Sequence, residues 1–340
     1  MAVPTDRGPR EQTDEDDLVD AGRRRPGGRV TTFLLILLTV PFVLIAISRL
    51  IEVGGTRALV AAAALTPYTV PVGLFLTIAG FALRRWAVAL VAGLLTVIMA
   101  AVVLPRATPD ARPYVQGESA RVLSLNMRYG NADAEAVLEL VRDHQVDVLS
   151  LQELTPTAVD ALADAGIDEE LPHRVIDARA GAPGSGIYSR HPAERVGTAP
   201  ATNRQPIARV RLPEGAELEV VAVHPLWPVG ADTTDTWQRE LASLPAAPPS
   251  GPIRVLAGDF NATLDHGPLR RLLGTGYQDA ADQTGDGLRP TWPAPGTVLG
   301  PPLTIDHVLV DRRCAVEDFG VFDVSGSDHR AVLAEFVVPV

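Results

Sequence analysis

The chain contains no lysine; all thirty of its basic residues are arginine. Replacement of one cation by another over the whole length reads as compositional bias and marks no site. Cysteine is almost missing too. The single Cys314 excludes any intrachain disulfide and leaves the redox compartment open. Positive charge is scarce in the longer part of the chain. Residues 105–340 carry twenty arginines against thirty-three acids, a net −13, whereas residues 1–104 carry ten against eight, a net +2. A globular region with that acidic excess repels polyphosphate, which disfavours sequence-independent nucleic-acid binding through a basic face. Bound cations would weaken the argument by neutralising part of the acid.

Apolar sequence is plentiful but uneven: the hydrophobic fraction of 46% is concentrated between Val30 and Leu104. Residues 1–29 are polar, with acids over Asp14–Asp17 and arginines at 23–25, and read as a disordered cytoplasmic tail. Three uncharged stretches follow, Val30–Ile47, Ala58–Leu83 and Trp86–Leu104, each of a length suited to a bilayer core. A cleaved signal peptide is disfavoured, because the first stretch exceeds the usual apolar core and two more follow it. The expectation is a membrane region over residues 30–104 with three transmembrane helices. Six arginines (23, 24, 25, 29, 84 and 85) against three (49, 57 and 106) put the N-terminus in the cytoplasm. The C-terminal region then lies outside it, in a multi-pass protein of the cell membrane. Thr66-Pro67-Tyr68-Thr69-Val70-Pro71 interrupts the second stretch, and a re-entrant hairpin there would reverse that orientation.

A linker over residues 105–119 leads into a domain over residues 120–340, long enough for one sizeable core. Its period-2 segments predict strands at Arg121–Met127, Asp147–Leu154, Gly186–Ser189, Ile207–Leu212, Leu218–His224, Ile253–Asp259, Thr304–Val310 and Ala331–Val338. Helical spacing covers Ala132–His144, Pro156–Ala165 (with Thr155 as N-cap), Thr233–Leu244 and Pro268–Leu273. Many strands with a few helices between them suggest two packed sheets flanked by helices.

The chemistry gathers at strand ends: Asn126, Glu153, His224, Asp259 with Asn261, Asp306 with His307, and Asp328 with His329. Apolar strands that repeatedly deliver Asn, Glu, Asp and His to their ends converge those groups in a cleft. Carboxylate and amide oxygens select hard cations such as Mg²⁺, Mn²⁺ or Ca²⁺, whereas zinc would call for more His or Cys. A metal–carboxylate site with a histidine suits phosphoryl transfer to water.

The ordered motifs LNM, LQE, GDFN, IDH and SDH, with GSGIYSR at Gly184–Arg190, resemble the endonuclease/exonuclease/phosphatase superfamily. The resemblance spans roughly Arg121 to Val338, and no one motif is specific alone. It implies a four-layer α/β sandwich with two central mixed sheets behind the membrane helices. It further implies Glu153 as principal ligand of Mg²⁺ (or Mn²⁺), with Asn126 and Asp328 beside it. Asp259 would position or deprotonate the attacking water, and Asn261 would hold the phosphate. His329, oriented by Asp306, would contact the scissile phosphate, and His224 would act from the opposite side. The apolar run after His224 (Pro225-Leu226-Trp227-Pro228) and His307 in place of a common aromatic depart from the pattern and leave the substrate open.

Taken singly, each residue has a plainer reading: Asn126 and Asp259-Phe260-Asn261 as turns, Glu153 as a charge near a helix start, His224 as a packed loop histidine. Only the joint set favours a site. A Ser327-Asp328-His329 triad fails because triad members meet in space, not as consecutive residues. The Asn261-Ala262-Thr263 sequon overlaps the motif and reads as chance. Cys314 reads as a small core or edge residue; His144, His173, His191 and His266 read as surface or loop residues. The expected activity is membrane-anchored, metal-dependent hydrolysis of phosphate esters, whether of a small molecule, a lipid headgroup or a nucleic acid, with no obligate protein partner. The alternatives are an extracytoplasmic nuclease and an inactive scaffold of the same fold.

Overall fold

A computed structural model describes residues 26–50, 55–111, 113–230 and 232–339. The expected polar tail falls, up to residue 25, outside the described residues.

The apolar third forms α1 (Pro26–Leu50), α2 (Arg57–Ala64), α3 (Thr69–Ala82) and α4 (Trp86–Val103). Helices α1 and α4 are each long and apolar enough to cross a membrane. The middle stretch, expected as one span, is broken: Pro67 opens a 3-10 turn over Thr66–Tyr68, and the two halves bend by 57°. It makes a third crossing only if the bent pair counts as one span. The reason is local, since proline removes a backbone donor and clashes with the preceding turn. Leu35, Phe42, Leu76 and Ala92 form the small core shared by α1, α3 and α4, and Gly73 lets Phe42 and Thr96 approach the α3 backbone.

The remainder begins with β1 (Gly117–Asn126), which opens inside the segment expected as a linker. Then come α5 (Ala134–Asp143), β2 (Val148–Gln152), α6 (Pro156–Ala165), α7 (Ile167–Glu170), β3 (His173–Asp177) and β4 (Ser185–Ser189). The second half holds β5 (Ala193–Thr198), β6 (Pro206–Arg211), β7 (Glu217–Val223), α8 (Thr234–Ser243), β8 (Ile253–Asp259) and α9 (Gly267–Leu273). It closes with β9 (Tyr277–Asp279), α10 (Ala280–Thr284), β10 (Asp306–Asp311), β11 (Ala315–Asp323) and β12 (Arg330–Pro339).

Two six-stranded sheets result, ordered β11-β12-β1-β2-β4-β3 and β5-β6-β7-β8-β10-β9. Each has one parallel pair, β1 with β2 and β7 with β8, among antiparallel neighbours. Alternation assigns the faces. Val122, Val148, Val220, Val255 and Val332 fill the space between the sheets. Leu123, Leu125, Leu149 and Leu151 face outward beneath α5 and α6. Val221, Val223 and Leu256 meet α8 and α9, with Trp237 buried among them. The expected α/β sandwich with two mixed sheets is therefore present.

This topology places the site. Parallel pairing puts the carboxyl ends of β1, β2, β7 and β8 at one end of the sandwich. The antiparallel partners β10 and β12 start there, so Asp306 lies directly opposite Asp259 in register.

Candidate active site

Asn126 ends β1, Glu153 follows β2, His224 follows β7 and Asp259 ends β8, so four strand ends aim four polar side chains at one point. Asn126 joins them: its Nδ2 donates to Asp259 Oδ2 at 3.1 Å and to Glu153 Oε1 at 3.4 Å. Glu153 Oε2 accepts from the backbone N–H of Tyr129 at 2.7 Å. Glu153 and Asn261 hold φ of +54° and +50°, a left-handed conformation uncommon outside glycine and frequent where a fold fixes functional side chains. Gly258 is required by packing, since a Cβ there would lie 2.0 Å from the Val223 carbonyl oxygen.

The two histidines occupy opposite states. His329 Nδ1 meets both Asp306 oxygens at 3.0 Å. Burial opposes its charge, but Asp306 and then Asp259 outweigh that and push it up to about 10, so it is an imidazolium. Its Nε2 lies 3.8 Å from Asp259 Oδ2. His224 is also buried, and desolvation holds its pKa below the ordinary value despite Asp259. Its Nδ1 faces the Asn203 amide nitrogen at 3.4 Å. The amide donates there, leaving the ring proton on Nε2, 3.9 Å from both Glu153 Oε1 and Asp259 Oδ2. One neutral and one cationic donor thus flank a pair of carboxylates.

Those carboxylates are short of positive charge. Burial and then, among the raising causes, Asp259 lift the Glu153 pKa; burial and Asp306 lift that of Asp259. Two buried carboxylates raised in this way fit a hard divalent cation. Asp259, Asp306 and His329 also bring potential ligand atoms within 4.8 Å of one another. We read that trio differently, because Asp306 is already committed to His329 and to the Thr291 hydroxyl at 2.6 Å. The Glu153 side is the better cation position.

Two details differ from the expected ligand set. Asn126 turns its nitrogen toward the carboxylates, while Oδ1 accepts from Arg128 N–H at 2.9 Å; a half-turn of the amide exchanges the two. Asp328 stands at the rim with Arg128 Nε at 3.8 Å and Trp292 Nε1 at 3.5 Å. Asn261 Nδ2 donates to the Pro225 carbonyl at 3.2 Å, which ties the GDFN turn to the loop after His224.

His307 takes no part in the cluster. It is buried between Asp279, 2.7 Å from Nδ1, and the Ala262 carbonyl, 2.8 Å from Nε2. His266 lies in the turn before α9, a loop position as expected, but it is buried and not on the surface. It is 4% exposed, accepts from Thr263 N–H at Nδ1, and donates from Nε2 to the Val60 carbonyl at 2.9 Å. Cys314 is a buried core residue as expected.

Sequence reasoning missed the residues that support the site. Asn203 fixes His224, and Gln205 Oε1 accepts from the His224 N–H at 2.8 Å. Thr291 holds Asp306, and the Ser327 hydroxyl donates to the Asn126 carbonyl at 2.7 Å. Glu240 of α8 accepts from Thr202 and from Leu226 N–H, binding the two loops that flank His224. Asn203, Gln205 and Glu240 sit in unpatterned loop or helix sequence; only Ser327 lay inside a motif.

The model of the Endonuclease/Exonuclease/phosphatase family matches residues 123–329. No curated protein matches the chain. Among solved structures, D. rerio TDP2 complexed with single strand DNA product is 18% identical, with a TM-score of 0.52 over 65% of this chain and 100% of its own. Truncated Caenorhabditis elegans TDP2 is 16% identical, with a TM-score of 0.51 over 66% of this chain and 99% of its own. At such identities these two speak for the fold alone. The family match covers more than half of the chain and takes in every strand end described above, so this protein belongs to the Endonuclease/Exonuclease/phosphatase family, whose members are hydrolases acting on phosphoester bonds.

Proposed function

We propose that the protein is a membrane-anchored, divalent-metal-dependent phosphoesterase whose catalytic domain lies outside the cytoplasm. The observation that carries the reading is the convergence of Asn126, Glu153, His224, Asp259 and the Asp306-held His329 from separate strand ends onto one point, with a histidine on either side of the Asp259–Glu153 pair. Groups whose environments drive their pKa values apart are suited to separate acid and base roles.

Glu153, Asn126 after its amide turn, and Asp328 would hold Mg²⁺ or Mn²⁺. When bound, the cation offsets phosphate charge and lowers the pKa of water. Asp259 orients the attacking water and takes its proton, a role that its raised pKa favours over that of an ordinary carboxylate. Asn261 donates its amide to a phosphate oxygen. His329, held by Asp306, presents a fixed positive donor to the phosphate as charge builds. His224 presents Nε2–H from the opposite side toward the leaving oxygen.

Anchoring is supported by α1 and α4, each long and apolar enough to cross a membrane. Orientation is supported by where their ends meet the domain. Arg49 at the end of α1 and Arg106 just after α4 bind the same residue, Asp265. Both helices therefore run toward the domain, and the bent pair between them would carry the chain back across. With an arginine-rich N-terminal side, that favours a cytoplasmic N-terminus.

A nuclease is the second reading, favoured by the single strand DNA product held by D. rerio TDP2 and opposed by the net −13 of residues 105–340. An inactive scaffold is disfavoured by the complete cluster. The full chain in detergent should be offered a chromogenic phosphodiester, a phosphomonoester and plasmid DNA, each with Mn²⁺ and with EDTA. Turnover of either chromogenic ester with Mn²⁺ alone supports the reading. Turnover of plasmid DNA only would replace it with the nuclease.

A further inference from the structure

The turn that carries Asp259 and Asn261 continues into a segment held by the apolar helices. Six residues past Asp259, the Asp265 carboxylate is fully buried. It takes Arg49 Nε from α1 at 2.8 Å and both terminal nitrogens of Arg106 at 2.8 Å. Burial opposes ionisation of Asp265, but the Arg106 hydrogen bonds and charge, followed by those of Arg49, hold its pKa below the ordinary carboxylate range. A bidentate guanidinium pair fixes both direction and distance. The next residue, His266, donates to the Val60 carbonyl of α2. Thr263 sits between the two, its N–H on His266 and its hydroxyl accepting from Asp265 N–H at 3.3 Å. On the other side of the turn, the Phe260 carbonyl accepts from the buried Trp237 indole at 3.2 Å, and Val60 packs in the same apolar cluster as Trp237 and Phe260. Three elements of the apolar region thus hold a segment of seven residues whose start is part of the site.

We propose that the helical region is a working part of the catalytic unit: Asp265, gripped by Arg49 and Arg106, is a positioning residue that fixes the Asp259–Asn261 turn. The consequence for activity rests on the phosphoesterase reading; the mechanical coupling does not. Removing one member of a buried pair leaves an uncompensated buried charge, so the segment between Phe260 and His266 loosens while the sheets, with their own cores, stay closed.

The test uses the full chain in phosphatidylcholine–phosphatidylglycerol nanodiscs, with amide hydrogen exchange and hydrolysis of bis(p-nitrophenyl) phosphate in Mn²⁺ as paired readouts. In Asp265→Asn, exchange over residues 260–266 should rise on the order of tenfold or more while β1 and β2 keep their protection. The same variant should lower kcat by about tenfold with little change in KM, and Asp265→Glu should recover part of both effects. Tyr68→Phe, which removes the Tyr68 hydrogen bond to the Pro302 carbonyl elsewhere on the same interface, should leave residues 260–266 protected. If Asp265→Asn does not fold, Arg49→Met, which spares the Arg106 pair, carries the same readouts. Unchanged exchange over 260–266 in a folded, inserted variant would overturn the proposal, as would loosened exchange with wild-type kcat. If the wild type hydrolyses nothing, the exchange result still decides the coupling, and only the phosphoesterase reading is lost.

Discussion

At the scale of single residues, the site is organised by which neighbour each titratable group has. Asp306 sets the charge of His329. Replacing it by Asn removes the largest cause that raises the histidine, whose pKa then falls from about 10 toward its ordinary value. Turnover should drop by roughly 10²–10³-fold at neutral pH, with the remaining activity favoured by lower pH, as a pH–rate profile would reveal. The sign for stability follows from the same shift. A raised histidine stabilises the fold below its unfolded pKa, and that contribution is lost as pH rises through about 10. Urea titrations across that window should show the loss in the wild type and not in Asp306→Asn. Glu153 and Asp259 are both raised, by burial first, so cation binding must displace protons at a pH above the usual carboxylate range. Mn²⁺ titrations in buffers of different ionisation enthalpy should report proton release that grows as pH is lowered from neutral toward the carboxylate range. Equal heats in all buffers at the acid end of that range would count against Glu153 as a ligand.

At the scale of elements, the strands that build the site were legible in the sequence because each is a run of alternating apolar residues ending in a polar one. The β8 strand (Ile253–Asp259) and the α6 helix (Pro156–Ala165) match their expected limits, and the Thr155 side chain caps α6 as its position suggested. The elements missed have weak periodicity. β5 (Ala193–Thr198) is an edge strand, largely exposed, and β9 (Tyr277–Asp279) is only three residues long. β11 (Ala315–Asp323) carries a bulge between Val316 and Asp318 that breaks its alternation. Asn126, Glu153, His224, Asp259, Asp306 and His329 were legible as a set because they sit at strand ends. Asn203, Gln205 and Glu240 were not, since they act by hydrogen bonds formed only once distant loops meet. Close strand packing at the site also explains a glycine. Gly258→Ala would drive a Cβ into the Val223 carbonyl, so the variant should lose about 1–3 kcal/mol or more of stability by denaturant unfolding.

At the scale of the whole molecule, the apolar helices and the sandwich share one interface, made by Arg49, Arg106, Val60 and Tyr68 on one side and by Asp265, His266 and Pro302 on the other. On the proposed reading, the parallel approach of α1 and α4 to that interface sets the N-terminus and the sandwich on opposite sides of the membrane. Protease added to intact cells should cut the sandwich and spare an N-terminal epitope tag; the reverse pattern would invert the orientation. Central to the account is the claim that Glu153 and its neighbours hydrolyse phosphate esters with a bound divalent cation. The most direct test compares wild type and Glu153→Ala, both full-length and in nanodiscs, for Mn²⁺ binding and for turnover of a chromogenic phosphodiester. The account predicts Mn²⁺-dependent turnover in the wild type, and in the variant a fall of about 10³-fold or more together with weakened Mn²⁺ binding. Turnover that survives in Glu153→Ala, or that persists in EDTA, would contradict it.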